Sequence, residues 1–136
     1  MRVLALDPGT VRIGVALSDE MKMIASPQPP LAAEPEDALL RSLAALVRDK
    51  QVELILLGLP RNMNGTLGPA AERARALGDK LRAALGVPVR EWDERLTSVQ
   101  AERALIEGGV RREQRREKTD SVAAAILLQS YLDAQG

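Results

Sequence analysis

Hydrophobic positions along the chain switch between a period of two and a period near 3.6, and each switch marks the edge of an element. Residues 3–6 are a continuous apolar run. Over 11–17, Val11, Ile13, Val15 and Leu17 alternate with Arg12, Gly14 and Ala16, so two strands are predicted with Asp7-Pro8-Gly9-Thr10 at the turn between them. Residues 21–25 supply a third strand ahead of a Pro-rich turn over 27–30, completing an antiparallel meander. A helix is predicted over 34–50, because Pro35 suits a first turn and Leu39, Leu40, Leu43, Leu46 and Val47 share one face. The unbroken apolar run over 52–58 has the character of a central parallel strand covered on both sides. The alternation continues with a helix over 69–85, a strand over 87–92, a helix over 98–106 stopped by Gly108-Gly109, and a last helix over 119–132.

The order β-β-β-α-β-α-β-α, a meander feeding parallel strands, is that of ribonuclease H-like domains. The expected fold is therefore α/β, a mixed five-stranded sheet flanked by helices. At 136 residues, 46% of them hydrophobic and with no repeat or linker, the chain reads as a single domain over 1–136. Open α/β sheets bind ligands beyond the carboxyl ends of their strands. Asp7 follows the first strand and Asp93-Glu94 follow the fifth, so both sites belong to one rim, while Asp120 opens the last helix. An isolated Asp before Pro-Gly is equally well explained as a side chain closing its own turn. The convergence of three acidic sites is what points to chemistry.

Composition narrows that chemistry. The chain has no cysteine and no histidine, which removes thiol and imidazole nucleophiles, histidine bases and ordinary zinc sites together. Carboxylates, hydroxyls, Lys and Arg remain for catalysis, and carboxylate ligands select hard ions such as Mg²⁺ or Mn²⁺. No signal-like N-terminus and no apolar stretch near the roughly 20 residues of a membrane span occur, so a cytoplasmic protein without membrane contact is expected. Zero net charge, 19 basic against 19 acidic residues, excludes a uniformly basic coat. It leaves a local patch: Arg111, Arg112, Arg115, Arg116 and Lys118 face only Glu113 and Glu117. That run suits phosphate docking, or equally a solvated helix face with intrahelical ion pairs. Beyond the central strand, the Gly/Asn-rich stretch 58–68 offers Arg61, Asn62 and Thr66 to a phosphate, or is an ordinary strand-to-helix turn; Thr10 and Arg12 are further backbone-contact candidates. With Trp92 and Tyr131 as the only aromatics, recognition by stacked bases is disfavoured and recognition by backbone shape is expected.

Four segments sharpen the reading: Asp7-Pro8-Gly9-Thr10-Val11-Arg12-Ile13-Gly14-Val15-Ala16-Leu17-Ser18-Asp19, Gly58-Leu59-Pro60-Arg61-Asn62-Met63-Asn64-Gly65-Thr66, Asp93-Glu94-Arg95-Leu96-Thr97-Ser98 and Lys118-Thr119-Asp120-Ser121-Val122-Ala123-Ala124. In this order they closely resemble the YqgF/RuvX family, RuvC-like nucleases described both as Holliday junction resolvases and as enzymes maturing the 5′ end of pre-16S rRNA. The resemblance implies Asp7, Glu94 and Asp120 as catalytic metal ligands, with Asp7 bridging two Mg²⁺ or Mn²⁺ ions and the other two completing one coordination shell each. Successive strand residues face opposite sides, so only one of Asp93 and Glu94 reaches the Asp7 crevice; the family pattern favours Glu94, leaving Asp93 to orient Arg95 or cap a helix. Arg95 joins the nucleic-acid contacts. The implied partner is structured RNA, with pre-30S ribosomal particles beyond it. The runner-up is branched DNA cut by a homodimer, and monomer and homodimer both stay open. Two further classes are a noncatalytic rRNA-binding assembly factor and an actin-like ATPase, whose Asp-x-Gly-Thr hairpin is similar but whose two-lobed build exceeds this length.

Overall fold

The computed structural model describes residues 1–9, 11–59, 68–93 and 119–135, the side chains at 119 and 120 excepted. Strands β1 (Arg2–Pro8), β2 (Arg12–Ser18), β3 (Ala25–Ala32), β4 (Val52–Leu59) and β5 (Val89–Asp93) form one sheet in the order β3-β2-β1-β4-β5. β2 pairs antiparallel with both β1 and β3, whereas β1–β4 and β4–β5 are parallel. The predicted meander followed by a parallel section is therefore the sheet observed. Helices α1 (Glu36–Asp49), α2 (Pro69–Leu85) and α3 (Thr119–Gln135) complete the described elements.

Strand alternation sorts the side chains onto two faces. Leu4, Leu6, Ile13, Val15, Leu17, Ile55 and Leu57 meet Leu39 and Leu43 of α1 and Leu77 and Leu81 of α2. Val3, Ala5, Ala16 and Leu56 point the other way, onto Ala124, Ala125, Leu127, Leu128, Tyr131 and Leu132 of α3. β1 and β4 are thus covered on both sides, which explains why their sequences are continuous apolar runs with no alternation to read. α2 comes especially close to β4: a Cβ on Gly78 would lie 2.9 Å from Leu57 Cδ2.

The largest correction concerns β3. The stretch 21–25 is mostly an exposed turn, held by Asp19, and the Pro-rich segment read as a turn is itself the strand, Ser26-Pro27-Gln28-Pro29-Pro30-Leu31 lying within it. Proline lacks the N–H a central strand needs, but β3 sits at the sheet edge, where that donor has no ladder partner to lose and its absence discourages pairing with other chains. Smaller differences occur at element ends. α1 begins at Glu36 behind Pro35, β5 begins at Val89, and α3 runs on to Gln135. Val11, placed inward by the alternation, lies before β2 and is 71% exposed. α2 occupies the predicted span and stops at Gly86, whose φ of 69° is the left-handed cap that glycine favours. The predicted helix over 98–106 lies outside the described residues.

Candidate active site

Asp7 belongs to β1 itself, paired with Gly14 of β2. Its neighbours Val3 and Ala5 face α3, so period-two alternation turns Asp7 to the same side, while Pro8 turns to the α1/α2 side. On the other flank the β1–β4 pairing runs as far as Leu6 with Leu57, and the next step along β4 is Gly58. A half-buried carboxylate therefore stands between two residues without side chains. The turn that follows is equally demanding: Gly9 donates its N–H to the Arg12 carbonyl at 3.0 Å, and a Cβ at Gly9 would sit 2.5 Å from that oxygen. The Asp-Pro-Gly segment thus closes the hairpin through backbone rather than through the Asp7 side chain, which no described donor engages.

α3 brings the second predicted acid toward this rim. Ser121 Oγ accepts the Val15 N–H at 3.0 Å, at the point where the β2–β3 register slips between Ile13 and Val15. Eight residues later Gln129 Oε1 accepts the Ala25 N–H, and Gln129 Nε2 donates to the Met23 carbonyl, each at 3.0 Å. With Val15 opposite Leu6 and Ala25 opposite Ser18, these bonds run α3 alongside β2 in the same direction, its first turn at the level of Asp7. Asp120 immediately precedes Ser121 in that turn. Close packing of α3 rests on Ala124 and Ala125, both fully buried, whereas Ala123 is exposed. The sequence reading missed Ser121 and Gln129. A buried polar position in an otherwise apolar helix was the available signal.

β5 defines the far side of the rim. Glu91 pairs with Arg75 of α2, whereas Arg90 lies over the Tyr131 ring of α3 and Trp92 meets that ring edge-on at 5.2 Å. Even positions of β5 thus face α3, and the alternation assigns Asp93, paired with Leu59, to the side opposite Asp7. Trp92 packs in the α3-side core, with its Nε1 buried and without an acceptor among the described residues. A cavity of about 580 Å³, lined by Pro8, Ile13, Leu39, Arg73 and Leu77, opens on the α1/α2 side and so lies away from the Asp7 carboxylate.

Of the other predicted residues, Arg12 is exposed and engaged at the start of β2. Thr10, Arg61, Asn62, Thr66, Glu94, Arg95, Arg111, Arg112, Arg115, Arg116 and Lys118 lie outside the described residues, as does the Asp120 side chain. Among the described residues no three acids gather into a metal-binding group. What is described fits a hard divalent cation: an oxygen-only donor, half-buried, with no described cation neutralising it and no side chain crowding it from either adjacent strand. No described helix is long and apolar enough to cross a membrane.

The fold and the sequence agree with known proteins. RuvC of Thermus thermophilus in complex with a Holliday junction substrate superposes with a TM-score of 0.66 at 16% identity, covering 99% of this chain and 96% of that one. The fowlpox virus resolvase with its Holliday junction DNA gives 0.61 at 13%, covering 99% of each. At these identities the likeness establishes the RuvC-type, ribonuclease H-like fold. Sequence relatives reach further: proteins described as "Putative pre-16S rRNA nuclease" from Pelotomaculum thermopropionicum and Moorella thermoacetica are each 48% identical across 100% of this chain, covering 89% and 97% of their own lengths. The family model described as "RuvX: Holliday junction resolvase" matches residues 1–134, and the chain belongs to that family of nucleases.

Proposed function

We propose that this chain is a cytoplasmic, metal-dependent nuclease that hydrolyses phosphodiester bonds in maturing the 5′ end of pre-16S rRNA. The observation that carries the proposal is the placement of Asp7: a carboxylate at the carboxyl rim of parallel strands, flanked by Gly14 and Gly58, on the face that receives the first turn of α3. The substrate assignment is supported by the description shared by the 48%-identical relatives.

In this reading Asp7, Glu94 and Asp120 hold two Mg²⁺ or Mn²⁺ ions. Such a pair, when bound, stabilises the attacking and departing oxygens of an in-line displacement at phosphorus. Asp7 supplies a fixed anionic ligand from a paired strand, so little reorganisation accompanies loading. Glu94 is preferred to Asp93 because the family pattern favours it and the alternation of β5 turns Asp93 away from Asp7's side of the sheet. Thr10, Arg12, Arg61, Asn62, Thr66, Arg95 and the cluster Arg111, Arg112, Arg115, Arg116 and Lys118 serve the phosphate backbone, with neutralisation by arginine making binding salt-dependent. A second reading, junction cleavage by a homodimer, is supported by the family description.

Cleavage of a labelled pre-16S 5′ fragment and of a mobile four-way DNA junction, each with Mn²⁺ or EDTA, tests the proposal. Asp7→Asn is expected to lower RNA cleavage by about 10³-fold or more, as loss of several kcal/mol of charge stabilisation predicts, with an unchanged or raised unfolding temperature. Paired symmetric nicks in the junction with intact RNA would transfer the assignment to resolution. Tight RNA binding with neither substrate cut would make the chain a noncatalytic assembly factor.

A further inference from the structure

We propose that Ser121 is a positioning residue for the metal site, setting the distance between Asp7 and the helical turn that carries Asp120. The inference deepens the proposed function and rests on its reading of Asp7 and Asp120 as ligands. Ser121 is fully buried, and its hydroxyl accepts the Val15 N–H at 3.0 Å across a separation of 106 residues. Val15 neighbours Gly14, the residue opposite Asp7. The register slip after Ile13 displaces the β2–β3 ladder at this level, and a buried amide there needs an acceptor. Ser121 provides it from α3. One hydrogen bond therefore ties the residue after Asp120 to the residue after Asp7's strand partner. The two acids are thus coupled through the Asp7–Gly14 strand pairing, the Gly14–Val15 and Asp120–Ser121 peptide links and that bond. The rest of the rim turn contributes no other described polar tie to the sheet.

A buried serine can also be only a structural pin, and the same helix provides the control. Among the described residues Gln129 makes more polar bonds than Ser121, to Ala25, Met23 and Asp133, and is nearly as buried. It lies about 12 Å further along the helix, away from the rim. A purely structural role predicts that the Gln129 pin matters at least as much as the Ser121 pin in every measurement. A positioning role predicts that the two separate when metal is measured.

The experiment is a calorimetric Mn²⁺ titration without nucleic acid, alongside thermal unfolding, for the wild type, Ser121→Ala, Gln129→Met and Asp7→Asn. Ser121→Ala should weaken Mn²⁺ binding about tenfold, the range found when partners that orient metal ligands are removed, and raise the Mn²⁺ concentration for half-maximal cleavage equally. Its rate at saturating Mn²⁺ should stay within about threefold of wild type, since the ligands themselves are intact. Gln129→Met should lower the unfolding temperature at least as far and leave Mn²⁺ affinity unchanged. Wild-type affinity in Ser121→Ala, or equal weakening by Gln129→Met, would overturn the inference while leaving the metal site standing. Absence of Mn²⁺ binding by the wild type, or full binding by Asp7→Asn, would overturn the metal reading and this inference with it.

Discussion

The two faces of the sheet are built on different terms. Toward α1 and α2 the strands present Leu4, Leu6, Ile13, Val15, Leu17, Ile55 and Leu57, large side chains that interlock with further leucines. Toward α3 the first two strands present Val3, Ala5, Gly14 and Ala16, and the helix answers with Ala124 and Ala125 near the rim and with Leu127, Leu128, Tyr131 and Leu132 further along. The first face gains its stability from burial of bulky aliphatics, which is non-directional. The second lets the rim end of a helix approach closely, and two buried polar side chains, Ser121 and Gln129, add directional bonds that fix its height and rotation. Asp7 lies on the second face. The proposed site, which would hold carboxylates at set distances, is better served by directional bonds than by apolar packing, which tolerates sliding.

Truncation on the aliphatic face should produce the largest change in stability. Leu57 is fully buried against Gly78, which has no side chain with which to fill a void. Leu57→Ala should therefore cost about 3–5 kcal/mol, the upper part of the range for such changes, read as a shift in the urea midpoint. Mn²⁺ affinity of the folded fraction should hold. A loss of affinity as large as that of Ser121→Ala would erase the distinction between the faces.

Enlargement on the close-packed face should act the other way. Ala124→Leu adds bulk at a fully buried position between α3 and the strands, with an overpacking cost of about 1–3 kcal/mol. Because the relief open to the structure is to lift α3, cleavage and Mn²⁺ binding should fall out of proportion to the stability lost. Normal Mn²⁺ binding in a destabilised Ala124→Leu would show that α3 does not govern the site.

The smallest effect is expected at the end of the sheet remote from the rim, and it sets a baseline for pH. The Ile24 N–H, and then the Met23 N–H, donate to Asp19 and hold its carboxyl below the usual aspartate range. A depressed native value means that the unfolded chain binds the proton more readily. The stabilisation is therefore complete above the ordinary aspartate range and is lost as pH falls through the depressed value. Asp19 is only partly buried and solvent screens it, so the effect is modest. Asp19→Ala should narrow the difference between urea midpoints at pH 7 and pH 3 without altering cleavage at neutral pH; an unchanged difference would assign the acid sensitivity elsewhere.

The sequence was most legible where a local period and a local need coincided. α2 could be bounded because Pro69 opens it and Gly86 closes it, both by backbone rules confined to neighbouring residues. The hairpin around Gly9 was legible for the same reason. β3 was not: proline marks a turn in most settings, and only its place at the sheet edge, a property of the assembled topology, makes it acceptable within a strand.

The candidate site divides along the same line. Residue type alone, carboxylates without histidine or cysteine, pointed toward hard-cation chemistry, because ligand preference is intrinsic to the side chain. That Asp7 stands between Gly14 and Gly58, that Asp93 falls on the opposite side, and that Ser121 ties α3 to the residue beside Gly14 follow from strand register and helix docking. Those bonds join positions up to 106 residues apart, and no local pattern encodes which amide a distant hydroxyl will meet. Packing of the whole sheet decides it.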